Sequence, residues 1–141
     1  MEHLTKVSTL ISQALGLYRL RINALLAQQG IDMTAEMFTV MRVIWTQEGP
    51  RQQDLADLLY KDKAAITKII HNLEKRDLLE RVNDEEDARN KRIVLTPKGA
   101  ALKKKVLPVL ETFLDGVVAG FSEKELNTTR HVLAGIIDKL K

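Results

Sequence analysis

Apolar positions recur every three or four residues over most of this chain, a spacing that predicts helices. The first run puts Leu4, Val7, Ile11, Leu15, Tyr18, Ile22 and Leu25 on one stripe between residue 4 and about residue 28. A second set, Leu10, Ala14, Leu17 and Ala24, widens that face. A terminal helix apolar over so much of its circumference needs covering on two sides. Its own domain supplies one side, and a second subunit is the expected other. Gly30 suits the left-handed position that closes the helix. Thr34 is placed to cap a second helix, with Glu36 in its first turn. Met37, Phe38, Met41, Ile44 and Trp45 line that helix up to a stop at Gly49-Pro50. Trp45, the single tryptophan, reads as a core anchor rather than a platform for a base or cofactor.

Two short helices follow. Gln53 to Leu59 packs through Leu55, Ala56 and Leu59, and Tyr60-Lys61-Asp62 makes a tight connection in which Asp62 caps the next helix, Lys63 to Arg76. At ~100° per residue, Ile66, Ile69, Ile70 and Leu73 form an inward stripe, while Ala64, Lys68, His71 and Lys75 face away, flanked by Thr67 and Lys63. Leu79 and Val82 then read as extended and half-buried, Asn83 to Asp87 as a turn, and Arg92-Ile93-Val94-Leu95 as the returning strand. A lone hairpin is marginal unless something packs on it.

Thr96-Pro97 starts a long helix, with Thr as N-cap and Pro where its missing N–H costs nothing. Leu102, Val106, Val109, Leu110, Phe113, Leu114 and Val117 line it, and Pro108 predicts a kink. Ser122 and Glu125 form a capping box for a final helix, with Phe121 placed to staple onto Leu126. Leu126, Leu133, Ile136, Ile137 and Leu140 continue that helix, whose apolar face again asks for a partner chain.

Composition narrows the class. The 141 residues fit one domain, 1–141, with 45% apolar and 29% charged residues, ordinary for a helical globular chain. No apolar run approaches the ~18 residues of a membrane span, and the polar start is no signal peptide, so a cytoplasmic protein without membrane contact is expected. With no cysteine, disulfides, thiolate metal sites and thiol redox sensing are excluded. Three distant histidines and no cysteine make a metal centre a poor fit. No Ser-His-Asp order, phosphate-binding glycine loop or paired catalytic carboxylates stand out, so neither an enzyme nor a cofactor is expected. The formal charge is only +3, but Lys61 to Lys105 holds thirteen basic against eight acidic residues. Charge alone fits a mixed solvated surface equally well; the arrangement of helices decides.

A short helix bracing a second one whose exposed N-terminal half is small and basic describes a helix-turn-helix. Ala64 and Ala65 permit close approach to bases and can meet a thymine methyl. Thr67 and Lys68 can donate to base edges, Lys63 to phosphate, and His71 and Lys91 complete the candidate DNA face. The hairpin follows directly, as the wing of a winged helix-turn-helix does. A winged helix serving only protein contacts would need a DNA face that is not basic, which Lys63, Lys68, Arg89 and Lys91 oppose.

This order of elements resembles the MarR (multiple antibiotic resistance regulator) family of transcription factors over nearly the whole chain. The most specific match is Asp87, Arg89, Leu95-Thr96 and Gly99, supported by Leu55-Ala56 and by Leu73 to Leu79. The resemblance implies a mainly α fold with a small β-wing, a winged helix-turn-helix core at about 34–96, and dimerisation helices at about 4–29 and 97–141. It implies a homodimer acting on double-stranded DNA, most often as a repressor. Arg89 would enter the minor groove, and Asp87 would hold its guanidinium by a charge-assisted hydrogen bond. It further implies release by a small aromatic or anionic effector, near Tyr18, Ile22, Trp45 and the start of the 97–120 helix. Two departures stand out. The acidic tip Asp84-Glu85-Glu86 should repel phosphate and so point away from the DNA backbone or slide past it, and Arg51-Gln52 replaces the hydroxyl N-cap expected before the first helix of the motif.

Overall fold

The computed structural model describes residues 2–141, without the side chains of His3, Leu4 and Thr5. The expected place of Leu4 on the first apolar stripe therefore lies outside the described residues. The elements run α1 (Glu2–Gln28), α2 (Ala35–Thr46), α3 (Gln52–Leu59), α4 (Lys63–Lys75), β1 (Leu79–Asn83), β2 (Lys91–Leu95), α5 (Pro97–Val118) and α6 (Glu123–Leu140). The chain divides into two compact units, residues 1–106 and 107–141. The boundary falls inside α5, close to Pro108, which lies within the helix.

In the first unit α2 packs on α1, α3 and α4, while the strands pack on α2, α3 and α4. Val40, Met41, Leu55, Ile66, Ile70, Leu73, Leu79 and Ile93 are fully enclosed. The inward stripe read from the α4 sequence is therefore buried, because only that face can meet α2 and α3. Among the described side chains of α1, only Ile22 and Leu26 are buried, near its C-terminal end; Val7, Leu10, Ile11, Leu15, Leu17 and Leu20 are exposed. Gly30 stands at φ 68°, and the Ile31 amide returns to Leu26 O at 2.9 Å, closing the helix. Thr34 caps α2 by accepting the Met37 amide at 3.2 Å.

Trp45 anchors this unit, as the sequence suggests. It is buried, lies against Phe38 with ring centroids 6.2 Å apart, and donates its indole N–H to Gly99 O at 2.9 Å. Gly99 is required by space: a Cβ there would sit 1.8 Å from Leu78 O. Thr96 opens α5, accepting the Gly99 amide at 3.0 Å while its hydroxyl donates to Asp77 O at 2.6 Å. The wing, the end of α4 and the start of α5 thus meet at one joint.

In the second unit, Ser122 accepts the Glu125 amide at 3.1 Å and the Glu125 carboxylate accepts the Ser122 amide at 2.8 Å, the expected capping box. No residue of α6 is buried, and Val132, Leu133, Ile137 and Leu140 are exposed. Among the described residues, no helix is long and apolar enough to cross a membrane, and no cluster of three acids or histidines is arranged to hold a metal ion.

Candidate nucleic-acid interface

The α3–α4 pair is built by its turn. Tyr60 adopts a left-handed conformation, φ 51°, and the Lys61 amide returns to Ala56 O at 3.1 Å, which turns the chain sharply. Asp62 then caps α4 by accepting the Ala65 amide at 2.7 Å. With Ile66, Ile69, Ile70 and Leu73 buried, Lys63, Ala64, Lys68 and His71 are exposed, and Ala65 and Thr67 are half-buried. That is the small, basic face expected of a reading helix, carried on its first two turns.

Thr67 differs from expectation. Its hydroxyl donates to Lys63 O and accepts from Gln52 Nε2, both at 2.8 Å. A threonine inside a helix readily bonds back to the preceding turn, so its single proton is already used. Thr67 presents an acceptor and a methyl group rather than a base-edge donor.

The wing is an antiparallel pair, in register from Leu79 opposite Leu95 to Asn83 opposite Lys91. Lys91 Nζ donates to Asn83 Oδ1 at the outer end. In the connecting turn Asp87 accepts the Arg89 amide at 3.0 Å and the Asn90 side-chain amide at 3.3 Å. The Arg89 guanidinium lies 3.9 Å from that carboxylate and is 96% exposed. Asp87 therefore orders the backbone that carries Arg89 and does not hold its guanidinium by a hydrogen bond. The physical reason is local: the amide two residues on lies within reach of a short carboxylate, while the guanidinium extends into solvent.

The acidic tip also resolves differently. Asp84 is the one buried charged residue among those described. Its carboxylate lies 2.9 Å from Arg51 Nε and 3.4 Å from Arg92 Nε, and accepts the Glu86 amide at 3.1 Å. That backbone bond and the two guanidiniums hold the Asp84 carboxyl below the usual aspartate value against the opposing effect of burial. Only Glu85 and Glu86 face solvent. Arg51 cannot cap a helix as a hydroxyl would; instead Asp54 accepts the Arg51 amide at 3.1 Å, and α3 begins at Gln52. Nothing in the sequence pairs Asp84 with residue 51, thirty-three positions away, so these partners escaped the sequence reading.

The N-terminal ends of α3 and α4 face the wing across a cleft of about 230 Å³ lined by Gln52, Gln53, Lys63, Arg89, Asn90 and Lys91. The fold thus gathers Lys63, Arg89 and Lys91, far apart in sequence, and adds two glutamines and an asparagine that sequence reasoning missed. Ala64, Ala65, Thr67, Lys68 and His71 do not line that cleft. The proposed effector group is less coherent. Trp45 borders a cavity of about 620 Å³ with Ile44, Gln47, Gly49, Val94 and Leu95. Ile22 is buried and Tyr18 half-buried on α1, and neither lines that cavity.

Residues 33–91 match the model of the MarR family. The transcriptional regulator SarZ of Staphylococcus haemolyticus is 29% identical over 113 residues, 76% of this chain and 74% of that protein. The chain spans little more than half the length of the next curated relatives it matches. Among solved structures, the MepR–DNA complex of S. aureus superposes with a TM-score of 0.84 at 24% identity, covering 98% of each chain. The PcaV regulator of Streptomyces coelicolor, crystallised with its natural ligand, gives 0.80 at 17% identity over 94% and 92% of the two chains. At these identities the structural likeness is one of fold: a winged helix-turn-helix. SarZ and PcaV are both transcriptional regulators.

Proposed function

From the premise that this chain carries a MarR-family domain over residues 33–91, we propose that it is a sequence-specific regulator reading double-stranded DNA with α4 and the wing. One observation carries the reading: the exposed basic start of α4 and the extended Arg89 border a common cleft. In this role Ala64, Ala65 and Lys68 approach major-groove edges, with Thr67 and His71 beside them. Lys63 and Lys91 neutralise phosphates, and Arg89 enters the narrow, electronegative minor groove. The likeness to a regulator solved on DNA supports the geometry.

Selection from a random duplex pool tests the proposal. The retained DNA should be a pseudo-palindrome with half-site centres about one helical turn apart, bound with an affinity that falls steeply as salt rises. Flat salt dependence with no preference over random DNA overturns it. Arg89→Ala should weaken binding about tenfold without altering Tm.

The working unit in this proposal is a homodimer joined through the N-terminal helix and the last two helices, acting in the cytoplasm as a repressor. Its support is the exposed apolar surface of α1 and α6, of a kind that folded monomers seldom leave in water. Release by a small aromatic or anionic effector belongs to the same proposal, supported by a structural relative that binds a natural ligand. Thermal shift against a panel of phenolic and lipophilic acids checks it; no stabilisation by any of them removes the effector from the scheme.

A further inference from the structure

The wing is a two-stranded sheet in which each strand pairs only with the other, yet its return strand is not free. Its return strand is stitched to the segment before α3: the Ile93 amide donates to Pro50 O at 2.9 Å, and Arg92 Nη1 donates to Gly49 O at 2.8 Å. Arg51 and Arg92 form an isolated bridge between the two segments. This brings two guanidiniums side by side, an arrangement that repels itself unless a carboxylate lies between them. Asp84 supplies that carboxylate, with its side chain only 1% exposed.

We propose that Asp84 is a positioning residue: by clamping Arg51 and Arg92 together, it fixes the wing to the start of α3 and sets where Arg89 meets DNA relative to α4. The inference rests on the DNA-reading function above and deepens it. Asp84 touches no nucleic acid in this scheme; it acts through the two arginines. The same hairpin carries Glu85 and Glu86, exposed acids with no such clamp, although Glu86 approaches Arg51 at 4.0 Å. One tip thus holds acids of two kinds, and they separate in their consequences. Removing a negative charge beside DNA strengthens binding if the charge acts only through space. Removing the clamp weakens binding, because the probe and the reading helix lose their fixed spacing.

The test compares Asp84→Asn with Glu85→Gln in the full chain, using the duplex selected by the wild-type protein and amide hydrogen exchange. Asp84→Asn should lower protection of the Ile93 amide at least tenfold while the Ile70 amide in α4 keeps its own, and should weaken DNA binding about tenfold. Glu85→Gln should bind as well as wild type or better. In an Arg89→Ala background, Asp84→Asn should cost less than twofold, since the probe it positions is gone; a purely structural role would give the same loss in both backgrounds. Unchanged protection at Ile93, binding by Asp84→Asn as tight as by Glu85→Gln, or an undiminished loss without Arg89 each overturns the proposal. If Asp84→Asn also exposes the α4 amides, Arg51→Gln, which cuts the clamp at its half-exposed end, must meet the same criteria. If the wild-type chain selects no DNA, the functional reading falls, and the exchange measurement alone decides whether Asp84 anchors the wing.

Discussion

Gly99 shows how one position serves two neighbours. Its carbonyl accepts the Trp45 indole proton, and its missing side chain lets the backbone close on Leu78 O. Gly99→Ala forces a methyl group into that contact and should cost about 3 kcal/mol, lowering Tm by roughly 10 °C in a thermal melt. The sequence marked Gly99, Thr96, Arg89 and Asp87 as a spaced pattern, but only the structure separates their tasks. Thr96 and Gly99 make the joint, Asp87 orders the turn, and Arg89 alone is presented to solvent. Asp84 was legible as an acid and illegible as a clamp, because its partners Arg51 and Arg92 come from segments that no periodicity connects. Its depressed pKa gives a sign. The charged form is the one favoured by folding, so its contribution is complete above the ordinary aspartate range and is lost as pH falls through the folded value. Between pH 5 and 8 wing protection should therefore show no step from this group. A titration by hydrogen exchange checks this, and loss of Ile93 protection, relative to α4, should begin only in stronger acid.

Helices with a buried stripe and a defined cap were readable from sequence, and their ends agree with expectation to within a residue or two. For α4 the two cues are independent: Asp62 starts it and the isoleucine stripe orients it. Asp62→Ala should cost about 1 kcal/mol and fray the first turn, where Lys63 and Ala64 sit; chemical denaturation with an unchanged m-value checks the magnitude. α3 was harder to bound because its cap is reciprocal only in part, with Asp54 accepting the Arg51 amide while the Arg51 side chain is committed to Asp84. The hairpin was visible as β-branched residues around a polar turn. Its attachment to Gly49 and Pro50 was not, since those bonds are made by backbone atoms or by an arginine fork, which leave no pattern in residue type.

At the scale of the molecule, the terminal helices were legible as amphipathic surfaces too broad for one chain to cover, and α1 and α6 do leave apolar side chains exposed. In the homodimer proposed above, Leu10→Glu should raise the dimer dissociation constant at least tenfold, because it buries a charge in an apolar contact. It should leave the fold of the chain intact, since Leu10 is exposed within it. Sedimentation equilibrium with circular dichroism separates the two effects. Those bare faces also bear on the life of the protein in a cell. A newly synthesised copy shows them to every chaperone and protease until it meets another copy, and the length of that interval depends on how many copies are present. For a chain that pairs as proposed, scarce synthesis should therefore mean faster turnover, and steady-state abundance should rise more steeply than the rate at which the message is translated.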